Sequence, residues 1–360
     1  MSRRPFRFLW ITDPWDTLDH PNDTTLRLAE EALRLGHESH WCDLRTLTLK
    51  GGKIRLQAQR ILAVHPADSG SGSGSSSGSG SGSGRLRSRD CFQLSSPAWQ
   101  APSEFDSVHY RTDPPVDLHY LHPLQLLALG LRSQGKTELV NPFEILTGRS
   151  EKWIALEVSP IAQVFPPSCV SALWAELDYF GRKHGRAVLK PLHQAQSKGI
   201  EKLEWGTPSK RAQARKKLAE ATEQFQRPVL LQKYLKGIEK GEQRLWFLDG
   251  RLLTFVRKLP LQGDFRVDMD RGSRIVRSRL TAREKAAALK IGKFLKAHQI
   301  RLAAIDLIDG YATDFNFTSP GLLVPIENLL GKNYARTIIE ALTHRAPSSR
   351  ARASRRKTRA

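Results

Sequence analysis

The chain has 360 residues, a net charge of +21 and three cysteines. That length accommodates two or three domains, no apolar run reaches the roughly 18 residues of a membrane helix, and the cysteines are too few for a disulfide framework or a metal cage. A soluble cytoplasmic protein without membrane association is expected, while the basic excess raises a polyanion as a partner.

Residues 6–12, "FRFLWIT", read as a buried strand. "DTTLRLAEEALRLG" follows as a helix with Asp23 at its N-cap, Leu26, Ala29 and Leu33 on one stripe, and Gly36 at its end. "HESHWCDL" returns as a strand, and this β-α-β order argues for a parallel α/β layer. Ser69 to Gly84 is a Gly/Ser tract with nothing to bury; it reads as a flexible linker outside the fold. "SVHYRTDPP" is a further strand running into a loop at Asp113, where two prolines forbid a helix.

Helices are expected from near Ser150 and near Ser171, the second ending at Gly185. The strand "AVLKPL", the loop "HQAQSKGI", a basic helix over 209–225 and the strand "PVLLQKYL" then suggest a small α+β unit. From Gln243, "RLWFLDGRLLTFVRKL" has two strand-like runs joined at Asp249-Gly250, a strong hairpin signal. An arginine-rich loop, a helix over 281–298, the stretch "LAAIDLIDGYATDFNFTSPG" and a helix over 335–343 complete the pattern. The tail after Thr343 carries Arg345, Arg350, Arg352, Arg355, Arg356, Lys357 and Arg359 and reads as a solvated basic extension, or less often an arm for a polyanion.

Asp306, Asp314 and Asn316 stand inside apolar, strand-forming runs on either side of Asp309-Gly310. A plain two-residue turn would put Asp306 opposite Thr313 and send Asp314 to the other side of the sheet. A three-residue loop with a bulge puts Asp306 opposite Asp314 and keeps Asn316 on their face. In that register two carboxylates and an amide suit Mg²⁺, which takes a few protein oxygens and completes its shell with phosphate and water. Spacing alone leaves open that they are polar strand-end residues.

Lys258, Arg266, Arg271, Arg274 and Arg277 fall in the loop that follows the first hairpin, with Asp264 and Asp268 between them. Guanidinium forks match phosphate and carboxylate, so the loop reads as anion-binding; a charge-balanced surface loop is the alternative. Lys190 ends a strand just before a loop in which Gly199 can bring backbone N–H groups over phosphates.

Taken in order, "RAVLKPL", "SKGI", "LLQKYLKGIEKGEQRLWFLDGRLLTFVRKL", "GDFRVDMDRGS" and "IDLIDGYATDFNFTSP" resemble the ATP-grasp fold and, within it, the bacterial glutathione synthetases. The N-terminal "ITDPWDTLDHPNDTTLRLAEEALRLGHESHW" and "YRTDPPVD" are similar to the same family. The resemblance implies an α/β protein: a Rossmann-like N-terminal domain over 1–148, a central lid over 149–235 and a C-terminal α+β catalytic domain over 236–344, followed by the tail. It implies ATP and Mg²⁺ (or Mn²⁺) as cofactors, a carboxylate and an amine as small-molecule substrates, and a homo-oligomer.

Carried onto this chain, the resemblance implies that Lys152 and Lys190 contact nucleotide phosphates, with Lys198 and Gly199 in the covering loop. Gln232, Lys233, Tyr234 and Leu235 would run along the adenine. Arg244, Lys258 and Arg266 would act on phosphate and acyl groups, and Asp306, Asp314 and Asn316 would hold the metal. Asp13, Arg111, Thr318 and Ser319 would meet the peptide substrate. Three features depart from the family: the loop "HQAQSKGI" is poor in glycine, Asp314 replaces a glutamate, and Val324-Pro325 replace an arginine-glutamate pair. Another small peptide or amino acid as substrate therefore stays open, as does a non-catalytic nucleotide- or nucleic-acid-binding protein.

Overall fold

The computed structural model describes residues 4–65, 91–132, 136–154, 162–192, 199–269 and 272–344. The Gly/Ser tract, Lys198, Arg271 and the basic tail lie outside these. Among the described residues no helix is long and apolar enough to cross a membrane.

The N-terminal layer runs β1 (Arg7–Thr12), α1 (Thr24–Arg34), β2 (Glu38–Asp43), β3 (Thr48–Lys50), β4 (Lys53–Val64), β5 (Phe92–Leu94), β6 (Ala98–Gln100), β7 (Ser107–Tyr110), α2 (Leu118–Arg132), β8 (Glu138–Val140) and α3 (Phe143–Gly148). β2, β1, β7 and β8 pair in parallel, as the β-α-β pattern predicts, while β4 adds an antiparallel edge carrying β3, β5 and β6. Asp23 caps α1 by accepting from Leu26 N at 2.8 Å. The edge strands and α2, which contains Pro123, have no clear signature in the sequence. α3, with Pro142 at its N-cap, precedes the helix expected from near Ser150; of that helix only the first turn, in which Ile154 N donates to the Ser150 carbonyl at 2.9 Å, falls within the described residues, and 155–161 lie outside them.

The second layer holds β9 (Ser168–Ser171), α4 (Trp174–His184), β10 (Arg186–Lys190), β11 (Glu201–Glu204), α5 (Pro208–Ala221) and β12 (Val229–Lys233). Its antiparallel order is β11-β10-β12-β9. It has its own core, with Leu177, Phe180, Leu203, Trp205, Leu218 and Leu231 packed together. Gly181 in α4 is required there, because a Cβ would fall 2.0 Å from the Trp205 ring.

The third layer is β13 (Glu242–Leu248), β14 (Arg251–Leu259), β15 (Arg274–Val276), α6 (Ala282–Ala297), β16 (Leu302–Ile308), β17 (Tyr311–Asn316), α7 (Leu323–Leu330) and α8 (Tyr334–Leu342). Its sheet order is β15-β14-β13-β16-β17. The β13–β14 turn is the two-residue Asp249-Gly250 pair, both at positive φ, which matches the twist of the flanking strands. α6 begins with a capping box between Thr281 and Glu284.

The first and third layers share their cores. Leu9, Ile11, Tyr110 and Leu124 pack in one cluster with Phe247, Ile305 and Phe315, and Phe8, Trp10 and Leu28 in another with Trp246, Leu302 and Ile338. Asn141, just after β8, fastens the two sheets. Its Nδ2 donates to the carbonyls of Leu302 at 2.8 Å and Phe317 at 2.7 Å, and its Oδ1 accepts from Arg301 N at 2.8 Å and Leu302 N at 3.1 Å. Only 3% of Asn141 is exposed, so a truncated side chain leaves buried backbone groups without partners. Asn141→Ala is expected to destabilise the protein by about 2–4 kcal/mol, lowering the urea midpoint with little change in slope; a midpoint equal to wild type would contradict this role.

Candidate functional site

The β16–β17 hairpin turns at Asp309 (φ 51°) and Gly310 (φ 77°), with Ile308 opposite Tyr311 and Leu307 opposite Ala312. The loop thus has two residues, not three, and the bulge that the convergent register needs is present. The shift comes from a bulge instead: Asp306 pairs with Asp314, Thr313 is the extra residue, and Ala304 pairs with Asn316. The period of two beyond the bulge keeps Asn316 on the face of Asp314.

Opposite charges lock this face. Arg244, directly across from Asp306 on β13, donates from Nε at 2.9 Å and Nη2 at 2.7 Å to the two carboxylate oxygens. Lys258, opposite Glu242 on β14, lies 2.6 Å from Glu242 and 3.1 Å from Asp306. Burial by itself would raise the Asp306 carboxyl, but Arg244 and then Lys258 override it and hold the group well below the usual carboxylate range. Lys152 donates to both oxygens of Asp314, at 3.0 and 2.8 Å. Burial opposes the Lys152 charge, and Asp314 outweighs it, so the ammonium titrates above its ordinary value.

Lys190 differs from these. It is buried at the end of β10 and donates to the Thr313 carbonyl at 2.7 Å, a neutral acceptor made available by the bulge. Burial lowers its pKa. Among the described residues it has no carboxylate at ion-pair distance, and Asp314, Glu242 and Asp306 act on it only from farther away.

All of these groups but Lys152 line one cavity of about 610 Å³ where the three layers meet. Its wall includes Lys190, Gln232, Lys233, Tyr234, Leu235, Arg244, Lys258, Arg266, Asp306, Asp314 and Asn316, and also Arg111, Thr318 and Ser319. Val188, which pairs with Gln232, and Ile200, Ile238 and Ile308 are apolar residues of the same wall. Arg266 binds Asp264 of its own loop at 2.8 Å. Arg111 is buried and donates to Thr25 Oγ1 at 2.8 Å and to the Pro320 carbonyl at 2.9 Å. Leu322 and Pro325 also face the cavity, so the Val324-Pro325 departure bears on its wall.

Three expected residues sit elsewhere. Asp13 is behind the wall, where it accepts from the backbone of Asp113, itself a wall residue. Lys152 reaches the site only through Asp314, and Gly199 (φ 67°) precedes the wall residue Ile200. Two acids are absent from the sequence reading. Glu151 accepts from Phe317 N at 2.6 Å, Thr318 N at 2.8 Å and Thr318 Oγ1 at 3.0 Å, and burial pushes its carboxyl up to about 7. Glu242 is the Lys258 partner; strand alternation places it on the face of Arg244, a signal the sequence did contain.

Among the described residues no group of three or more His, Cys, Asp or Glu side chains forms a self-sufficient metal cage. The donor set on the hairpin nevertheless fits a hard divalent cation that shares its shell with phosphate: Asp306 and Asp314 at one register position and Asn316 beside them, its amide nitrogen engaged by the Ala304 carbonyl and its oxygen left to ligate.

The family description "Prokaryotic glutathione synthetase, ATP-grasp domain" matches residues 151–331, and "Prokaryotic glutathione synthetase, N-terminal domain" matches residues 6–146. The glutathione synthetase of Synechocystis is 30% identical over 336 residues, covering 92% of this chain and 98% of its own. That of Brucella melitensis is 28% identical, covering 92% and 97%. Among solved structures, the D-cycloserine synthetase DcsG superposes with a TM-score of 0.60 at 16% identity over 93% of this chain and 98% of its own, a likeness of fold. The ATP-grasp ligase PsnB gives 0.56 at 15% identity over 93% and 98%. The chain belongs to the prokaryotic glutathione synthetase family and is an ATP-dependent, C–N bond-forming ligase of the ATP-grasp fold.

Proposed function

We propose that the protein joins γ-glutamylcysteine to glycine at the expense of ATP. The observation that carries this reading is the single cavity in which Asp306, Asp314 and Asn316 lie among Lys190, Arg244, Lys258 and Arg266. In it the adenine packs on Val188, Ile200 and Ile238 with its edge along Gln232–Leu235. The phosphates extend toward Lys190, Lys152, Arg244 and Lys258. The peptide occupies the end built by Arg111, Thr318 and Ser319, held in shape by Asp13 through the Asp113 loop.

A substrate carboxylate oxygen attacks the γ-phosphorus, ADP leaves and an acyl phosphate forms. The amine nitrogen then attacks the acyl carbon, loses a proton, and the tetrahedral intermediate expels phosphate as the amide forms. Arg266 and Arg244 bear on the negative charge that moves during these steps, and a site closed to water protects the acyl phosphate. Mg²⁺, or Mn²⁺ in its place, held by Asp306, Asp314 and Asn316, would neutralise phosphate charge when bound. The layer of β9–β12 and its helices, with a separate core, supplies the closing part, including Lys198 and Gly199. No side-chain nucleophile is needed.

Leu322 and Pro325 in the wall favour one second reading, a different small peptide or amino acid in place of one substrate. The same proposal carries a cytoplasmic, homo-oligomeric enzyme whose basic tail binds a polyanion.

Purified protein should release phosphate from ATP only when γ-glutamylcysteine, glycine and magnesium are all present; no release would reject the substrate pair, and a screen of amino acids and dipeptides would then identify another. Asp306→Asn should reduce turnover at least a hundredfold, and robust activity in that variant would contradict the site. Glu151 holds the segment carrying Thr318, and its carboxyl is raised from 4.5 to about 7 by burial. Its stabilising contribution is therefore present below pH 4.5 and lost as pH rises toward 7. Against Glu151→Gln, whose side chain does not titrate, wild-type stability should decline across that window by on the order of 1–3 kcal/mol; parallel urea-midpoint profiles would refute the assignment.

A further inference from the structure

The Lys152–Asp314 pair has a feature that the reaction scheme does not use. Both oxygens of Asp314 are taken by one ammonium, at 3.0 and 2.8 Å, and the Lys152 side chain is only 8% exposed. Each member is thus the counter-ion of the other, the ammonium buried and the carboxylate, 23% exposed, facing the cavity. Separating such a pair is costly unless both charges find new partners at the same time.

Resting on the reading that this cavity takes a nucleotide with its metal, consider each ligand alone. A nucleotide without metal can engage Lys152 only by leaving the Asp314 carboxylate unpaired beside the phosphates. A divalent cation without nucleotide can take Asp314 only by leaving a buried ammonium unpaired beside the metal. When both arrive, the ammonium turns to phosphate and the carboxylate to metal, and neither charge is stranded. Lys190 needs no such exchange, because its partner is the neutral Thr313 carbonyl. It is an anchor open to phosphate with or without metal.

We infer that the Lys152–Asp314 ion pair is a charge latch that couples nucleotide and divalent-cation binding, so that each binds weakly without the other. Lys152 is then a positioning residue whose effect passes through Asp314 in the free enzyme and through phosphate in the loaded one. The coupling is reciprocal, as linkage requires.

The test is a binding cycle rather than a rate. ADP is titrated calorimetrically into full-length wild type, Lys152→Met, Asp314→Asn and the double variant, in EDTA. The expected results are that wild type binds ADP with magnesium at least tenfold more tightly than ADP in EDTA, and that Asp314→Asn binds metal-free ADP at least fivefold more tightly than wild type. In the Lys152→Met background the same Asp314→Asn change should give a gain at least threefold smaller, because it relieves repulsion but releases no ammonium. An equal gain in both backgrounds would mean that Asp314 merely repels phosphate and would overturn the latch, as would no gain at all.

The metal side is read by electron paramagnetic resonance of Mn²⁺ without nucleotide, where Lys152→Met should bind at least tenfold more tightly than wild type; equal affinity overturns the proposal. If Lys152→Met does not melt cooperatively, Lys152→Gln supplies the background. Failure of wild type to bind ADP even with magnesium would reject the nucleotide site itself, an outcome distinct from nucleotide binding that is independent of metal.

Discussion

The bulge at Thr313 is the constraint on which the site depends. Strand pairing has a period of two, so one unpaired residue decides which face every later side chain takes. With Thr313 extra, Asp306 meets Asp314 on one side and Arg244 on the other, and Asn316 falls in line. The bulge also presents the Thr313 carbonyl, which receives Lys190 from the neighbouring layer. One local irregularity thus sets both the acidic face and the position of the buried lysine above it.

A face that carries acids and basic side chains at such density is stable only because the charges are paired. Asp306 has Arg244 and Lys258, Glu242 has Lys258, and Asp314 has Lys152. Burial opposes the charges of Lys152, Arg244 and Asp306, and their short, bidentate contacts overcome it, whereas at Glu242 burial prevails and the carboxyl is raised. The cations that pair with these acids are the groups proposed to meet phosphate. The structure therefore holds these charges as internal ion pairs.

The same economy of charge joins the layers. Arg27 in α1 binds Glu31 and Glu327, each at 2.7 Å, and Asn333 at 2.9 Å. Glu327, close after the departures at Val324-Pro325, thus serves a junction between layers rather than the cavity wall, and its Oε1 also accepts from Ala335 N at 2.7 Å. With Asn141 and the shared apolar clusters, this makes the first and third layers a single support. The second layer, with its own core, meets that support at the cavity.

Much of this is legible in the chain. Apolar periodicity, the Asp23 cap and the Asp249-Gly250 and Asp309-Gly310 turns mark α1, α6, the parallel start and both hairpins, because those signals act over a few residues. The residue types that face one another in the cavity are also legible, since few other arrangements use so many arginines, lysines and acids beside apolar strands. The edge strands β3–β6 and the helix α2 are not, because their stability comes from covering neighbours rather than from their own pattern. Glu151 is not, because its partners are backbone groups 166 and 167 residues away. The sequence alone determines that acids and cations are available near a hairpin. Only the tertiary structure decides that a bulge, not a longer loop, brings Asp306 and Asp314 together, and that Lys152 holds one of them, since register and burial depend on contacts between segments that no local pattern encodes.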